Sequence, residues 1–306
     1  MDRKNLRGSL ILLLCALIWG CAFVAQDVGM NYVEPYTFTA ARSFIGAAAL
    51  LLFSTVKDAA ARKRGVQPPD KAAKKLQLKA GLCAGIALFV PAAMQQIGLV
   101  YTSPGKSGFI TAMYIVVVPI LGMFFGKKAG LNVWISVAIA IAGLYLLCMK
   151  GQLTIERGDA ITLVSVVFWA VQIMTVDYFA PRVDCVKMTC MSFAVCGTLA
   201  AVMALLTETP TWPALVQCAI PLLYAGIMSS GVAFTLQAIG QRMTAPTVAA
   251  VMMSMESVFA ALAGFVLFNE RFNNRELMGC LLMLAAVILA QIDFGFGKKA
   301  KNEVQA

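Results

Sequence analysis

The chain of 306 residues is 60% hydrophobic and only 13% charged, with a mean hydropathy of +0.80; soluble domains carry about 25% charged residues, so a soluble fold is excluded. Its net charge of +10 does not mark a nucleic-acid partner, because the basic residues gather in short segments between apolar stretches. Histidine is absent, which removes Ser-His and Cys-His nucleophile pairs and His-held zinc or haem, and the nine cysteines form no C-x-x-C pair, so they read as small packing residues.

A membrane-spanning helix needs roughly 17–25 mostly apolar residues. Taken in chain order, ten stretches qualify: 8–25, 35–56, 77–98, 104–125, 131–149, 159–180, 186–206, 213–236, 245–268 and 275–293. The first lacks an A-x-A cleavage site before a polar start and is read as a span, not a signal peptide. Glu34-Pro35, Ser103-Pro104, Ala180-Pro181, Thr209-Pro210 and Ala245-Pro246 mark turns, and Pro suits the first helical position because its missing N–H is an orphan there anyway. Pro91, Pro119 and Pro221 fall inside spans and mark bends. With the N-terminus inside, nineteen of the 25 Lys and Arg lie in inner segments and five in outer ones, a positive-inside pattern that places both termini in the cytoplasm of a cell with the chain in its inner membrane. Eight of the nineteen sit in 57–79, read as a topology determinant beside anionic lipid. The remaining one, Arg42, lies within the second span, two turns from the outer surface, where snorkelling is easy and pairing with Asp27, Glu34 or a helix carbonyl is favoured over substrate contact.

The chain repeats itself. Shifted by 142 residues, Gln95, Ile97, Gly98, Thr102 and Pro104 fall on Gln237, Ile239, Gly240, Thr244 and Pro246, and Met113, Val116, Gly122 and Asn132 on Met255, Val258, Gly264 and Asn274. At an offset of 150, Gly8, Trp19 and Asp27 fall on Gly158, Trp169 and Asp177. The unit is five helices, and five is odd, so the second copy enters the membrane upside down. Inverted repeats of this kind belong to secondary transporters, whose sites lie near the midplane between copies. The fold class expected is therefore an all-α membrane protein with ten transmembrane helices in two inverted repeats: 1–150, 151–293, then a basic cytoplasmic tail, 294–306.

Glu256 sits in the apolar run MMSMESVFAALAG, about 11 residues into its helix and hence roughly 16 Å deep, at the centre of a ~30 Å hydrocarbon core. A charge there costs about 2.5–3.5 kcal/mol, so Glu256 should face the bundle interior. Ala249, Met252, Glu256, Ala260 and Ala263 form a narrow face for close helix approach. The repeat mate of Glu256 is Tyr114, and Trp19 and Trp169 lie at the same depth. A carboxylate flanked by aromatic faces suits a cationic or zwitterionic solute and a proton taken on one side and released on the other; the alternative is a structural Glu bonded to a neighbouring helix. Gln172, one turn past Trp169, either donates to the substrate or makes an interhelical bond. Gln95 and Gln237, near helix ends, are expected to be satisfied locally. Asn269, Glu270 and Arg271 read as the end of the ninth helix.

The stretches LLCALIWGCAFVAQDVG, PYTFTAARSFIGAAALL and MSMESVFAALAGFVLFNERFNNRELMGCLLMLAAVILA resemble the EamA branch of the drug/metabolite transporter superfamily over residues 8–293. Glu256 and Glu270 stand at the two acids of that family's E-P-V-x-A…E signature, while Ser257 replaces its Pro and removes one cause of a helix break. The resemblance implies a ten-helix carrier whose cavity is lined by helices 1, 3, 4, 6, 8 and 9. It implies Trp19, Tyr114, Trp169, Gln172 and Glu256 as substrate-binding residues, with Glu256 also the proton-coupling candidate. The expected partners are a small-molecule substrate and the lipid bilayer, with a homodimer left open and no nucleic acid, cofactor or metal. Export of a small organic metabolite, an amino acid-like or an amphipathic or cationic solute, by alternating access with proton coupling is the leading function. A membrane-embedded enzyme using Glu256 as acid/base, or a passive facilitator, is the alternative. No G-x-x-x-x-G-K-[ST] run is present for direct ATP drive.

Overall fold

The computed structural model describes residues 3–102, 104–126, 129–148, 156–268 and 273–291. Lys127, Lys128, Lys150, the Asn269–Arg271 helix end and the 294–306 tail lie outside them. Ten helices among the described residues are long and apolar enough to cross a membrane. They are α1 (Arg3–Gly29), α2 (Pro35–Lys63), α3 (Lys71–Leu99), α4 (Pro104–Ala112 and Tyr114–Phe124), α5 (Leu131–Cys148), α6 (Arg157–Phe179), α7 (Cys185–Thr207), α8 (Ala219–Gln241), α9 (Pro246–Met253 and Glu256–Phe268) and α10 (Asn274–Gln291). The membrane face at which α1 begins is called the N face, and the other the far face.

Local chemistry sets the ends. Pro35, Pro104 and Pro246 open helices, and Asp70 and Asp184 cap α3 and α7 by accepting from the N–H groups of Ala73 and Lys187. Glu156 and Asp159 form a reciprocal capping box at the start of α6. The start of α2 is capped from far along the chain: Glu208, just past α7, accepts from the backbone N–H groups of Tyr36 and Thr37, each at 2.7 Å, and from the Thr37 hydroxyl at 2.6 Å. Glu34 returns the contact by accepting from the Thr209 N–H at 3.1 Å.

Three helices are irregular. In α8 the expected span from 213 is a short helix, Trp212–Gln217, followed by the span proper, which passes through a π-helical stretch, Tyr224–Ala233, just after Pro221. Helix α4 breaks at Met113 and α9 at Ser254–Met255, and at both places the backbone tightens to i→i+3 bonds: Met113 to Ile110, Val116 to Met113, Met255 to Met252, Ser257 to Ser254. At the second break the Ser254 hydroxyl donates to the Val251 carbonyl, 2.8 Å away, so an interruption forms in α9 without the proline. Pro91 and Pro119 sit inside continuous helical segments.

Packing follows the repeat. Helix α2 lies against α7 and α5 against α10; α3 against α6 is mirrored by α8 against α1, α3 against α7 by α8 against α2, and α4 against α6 by α9 against α1. The two five-helix halves, inverted relative to each other, thus make their most extensive contacts with each other. Backbone-to-backbone approach at the crossings needs glycine. A Cβ on Gly98 would lie 3.0 Å from the Gly158 carbonyl oxygen and one on Gly158 2.6 Å from that of Gly98; the mates Gly8 and Gly240 repeat this, each 3.2 Å from the other's carbonyl.

Candidate functional site

Glu256 and Tyr114 each stand first in the second half of a broken helix, α9 and α4. The breaks bring these repeat mates together: the Tyr114 hydroxyl donates to Glu256 Oε1 at 3.2 Å. Both are buried, Glu256 at 4% exposure, so the carboxylate faces the interior and not lipid. Close approach of α1 helps to hold it there, because a Cβ on Gly20 would lie 2.7 Å from the Glu256 carbonyl oxygen, the Ala260 nitrogen and the Phe259 Cβ. Discontinuous helices meeting at the centre are the arrangement in which transporters free backbone groups beside a site.

Around the pair lies a cavity with about 510 Å3 of space not filled by atoms, its mouth included. Its lining includes Trp19, Tyr114, Trp169, Gln172 and Glu256, the five residues singled out in the sequence. One wall is aromatic: Phe234 stands between Trp19, 4.8 Å away centroid to centroid, and Trp169, 6.2 Å away. The Nε1–H groups of Trp19 and Trp169 are buried and find no hydrogen-bond partner among the described residues.

Amides line the cavity toward each face. Gln95 donates to the Thr111 hydroxyl at 2.9 Å on the far-face side. Toward the N face, Gln172 and Gln237 exchange amide bonds of 3.4 and 3.2 Å, and Gln241 donates to the Ile173 carbonyl. Gln172 therefore makes the interhelical bond and lines the cavity as well. Gln95 and Gln237 bond across helices instead of locally, and both line the cavity.

Arg42 requires a correction. It is buried instead of snorkelling, and among the described residues its hydrogen-bond partner is neither Asp27, Glu34 nor a carbonyl. The residue is 6% exposed, lines the cavity, and donates from Nη1 to Gln26 Oε1 at 3.0 Å. Glu34 is committed to the Thr209 N–H, across the far-face loops. Helix α2 thus joins the six helices expected to line the cavity. Sequence reasoning also passed over Gln26 and Phe234. A charge within a span was the available signal for Arg42; Phe234 carried none, since an aromatic residue in an apolar run is equally at home against lipid.

The model of the EamA-like transporter family matches residues 6–149 and again 156–291. An uncharacterized transporter of Archaeoglobus fulgidus is 29% identical over 94% of this chain and 87% of its own length. The uncharacterized transporter YoaV of Bacillus subtilis is 21% identical over 91% of this chain and 94% of its own. One crystal structure superposes with a TM-score of 0.75 at 20% identity, covering 94% of this chain and 98% of that one, a likeness of fold. Two inverted five-helix halves, each matching the same family model, meet around a central cavity beside their broken helices: the chain belongs to the EamA-like transporter family and is a multi-pass membrane transporter.

Proposed function

We propose that the protein is a secondary transporter that exports a small organic solute by alternating access, with Glu256 as the proton-coupling group. The observation that carries the reading is the Tyr114–Glu256 contact inside the central cavity, built by two helix breaks that the inverted repeat relates. A buried carboxylate beside a cavity is costly to keep charged, so it is suited to exchanging a proton for a solute as access alternates. Trp19, Trp169 and Tyr114 supply faces for a solute and Gln172 an amide, the roles expected of them from sequence.

The two halves supply the motion. Each access route runs past one of the mated glycine crossings, α3 with α6 on the far face and α1 with α8 on the N face. Opening one while the other stays closed exposes the cavity to one side at a time. The positive-inside pattern supports an inner-membrane location with the N face cytoplasmic and both termini inside. The halves are read as 1–150 and 151–293. Catalysis is not part of this reading.

The test is flux in proteoliposomes loaded with candidate metabolites. An imposed pH gradient is expected to drive solute uphill, and Glu256→Gln to abolish that drive while leaving the apo protein folded. Solute movement that only follows its own gradient would make the protein a passive facilitator. Chemical turnover of a lipid or solute would make it an enzyme.

A further inference from the structure

Arg42 is a buried guanidinium whose described hydrogen bond is to a neutral amide, Gln26. Its Nε–H has no hydrogen-bond partner among the described residues, and the described ion pairs, Lys57–Asp184, Lys106–Asp159 and Lys187–Asp58, do not include it. The ring of Phe38 lies 5.9 Å from its Cζ, a contact that supports a cation without neutralising it. Burying an uncompensated charge costs several kcal/mol, so such a group marks a site that a partner completes.

The geometry names the partner's chemistry. The Gln26 bond takes Nη1 and leaves the Nε–Nη2 edge, the edge that grips a planar carboxylate with two parallel bonds. Among the described residues Arg42 is the one cationic side chain of the cavity lining, enough for the single charge of a carboxylate and not for the two of a phosphate monoester. Two further N–H groups with no partner among the described residues, on Trp19 and Trp169, belong to the same lining, so described donors are in excess there, and Glu256 is its one described acid. Arg42 lies seven residues into α2 from the far face and Glu256 ten residues into α9 from the N face. At ~1.5 Å per residue in a ~30 Å core, their levels differ by about 5 Å, the scale on which a small zwitterion separates its two charges.

We propose that Arg42, held by Gln26, binds a carboxylate of the transported solute, which is a small zwitterion gripped between Arg42 and Glu256. This rests on the transporter reading and adds the anion subsite and the charge pattern of the solute.

The experiment compares the proteinogenic amino acids with the amines made by removing their carboxylates and the acids made by removing their amino groups. Binding to the purified full chain is read by calorimetry and thermal shift, and flux in proteoliposomes. At least one amino acid is expected to bind at least about tenfold more tightly than its amine. Arg42→Gln should erase that gap and Arg42→Lys restore part of it. Gln26→Glu gives the guanidinium an internal carboxylate; it should raise the melting temperature of the apo protein while lowering amino-acid affinity at least about tenfold. The gain in apo stability keeps the test open should Arg42→Gln fail to fold. Amines that bind as tightly as their parent amino acids, unchanged affinity in Gln26→Glu, or no amino acid bound at all would each overturn the subsite. Amines that are nonetheless bound and carried would leave the transporter reading standing; no flux of any solute would remove both.

Discussion

The two glycine crossings are built from mated residues, yet they are fastened differently. On the far face, where α3 meets α6, Asp159 accepts from the Thr102 hydroxyl at 2.6 Å and pairs with Lys106 Nζ at 2.6 Å, with Asp159 itself nearly buried. On the N face, where α1 meets α8, the mates of Asp159, Lys106 and Thr102 are Ser9, Val248 and Thr244, and the Thr244 hydroxyl has no hydrogen-bond partner among the described residues. The glycines give both crossings a similarly close backbone approach. The ionic clasp belongs to one. Under the proposed alternating access, a duplicated scaffold can keep the symmetry of its backbone, for two equivalent openings, while single side chains set which opening is favoured.

The largest effect tests what the crossings share. Gly98→Leu and Gly240→Leu each force a side chain against backbone or packed side-chain atoms, and each is expected to cost about 3 kcal/mol of stability in detergent melts. A crossing that accepts leucine without loss would break the equivalence. Next comes what they do not share. Asp159→Asn leaves Lys106 without its carboxylate and should shift the balance toward far-face opening by about 2 kcal/mol, roughly thirtyfold, read as faster thiol labelling of a Gly105→Cys reporter. Thr244→Ala at the mated position should leave that labelling unchanged. A smaller effect is expected from transplanting the clasp: Ser9→Asp with Val248→Lys should hold the N face shut by about 1 kcal/mol and slow transport several-fold.

The smallest effect concerns the outer rim of the N face, where α2 and α7 are tied by Lys57–Asp184 and Lys187–Asp58. Burial pushes the Asp184 carboxyl up, but the hydrogen bonds from Lys57 and the Lys187 backbone N–H, with the charges of both lysines, outweigh it and hold it below the usual carboxylate range. A carboxyl lowered in the folded state contributes stability above its unfolded value, near 3.9, and loses it as pH falls through the folded one. Melts of the wild type and Asp184→Asn should therefore differ by about 1 kcal/mol or less near neutrality and converge below about pH 4.

Much of this architecture was legible in the residues because lipid permits few alternatives. Apolar runs of fixed length had to be helices, and an odd five-helix unit present twice had to invert. An acid at the middle of a span had to turn inward, and depth arithmetic placed Tyr114, Trp19 and Trp169 beside it, around the cavity that the structure contains. Interactions between distant segments left no such mark. Glu208 reads as an ordinary loop acid until folding sets it on the N–H groups of α2. The π-helical stretch of α8 had no signal in the sequence beyond the bend marked by Pro221. Arg42 was visible as an anomaly, but an assignment to the nearest acids in sequence failed because Glu34 was already committed elsewhere.

The dependence of each half on the other has a consequence for biogenesis. The helices of the first half find their principal neighbours in the second, so they leave the insertion machinery as separate spans with their glycine faces still against lipid. Assembly is then expected to wait for synthesis of the last helices, and a stop after residue 150 to leave inserted but unassembled spans. Two separately encoded halves, made in the same membrane, would have the contacts needed to find one another.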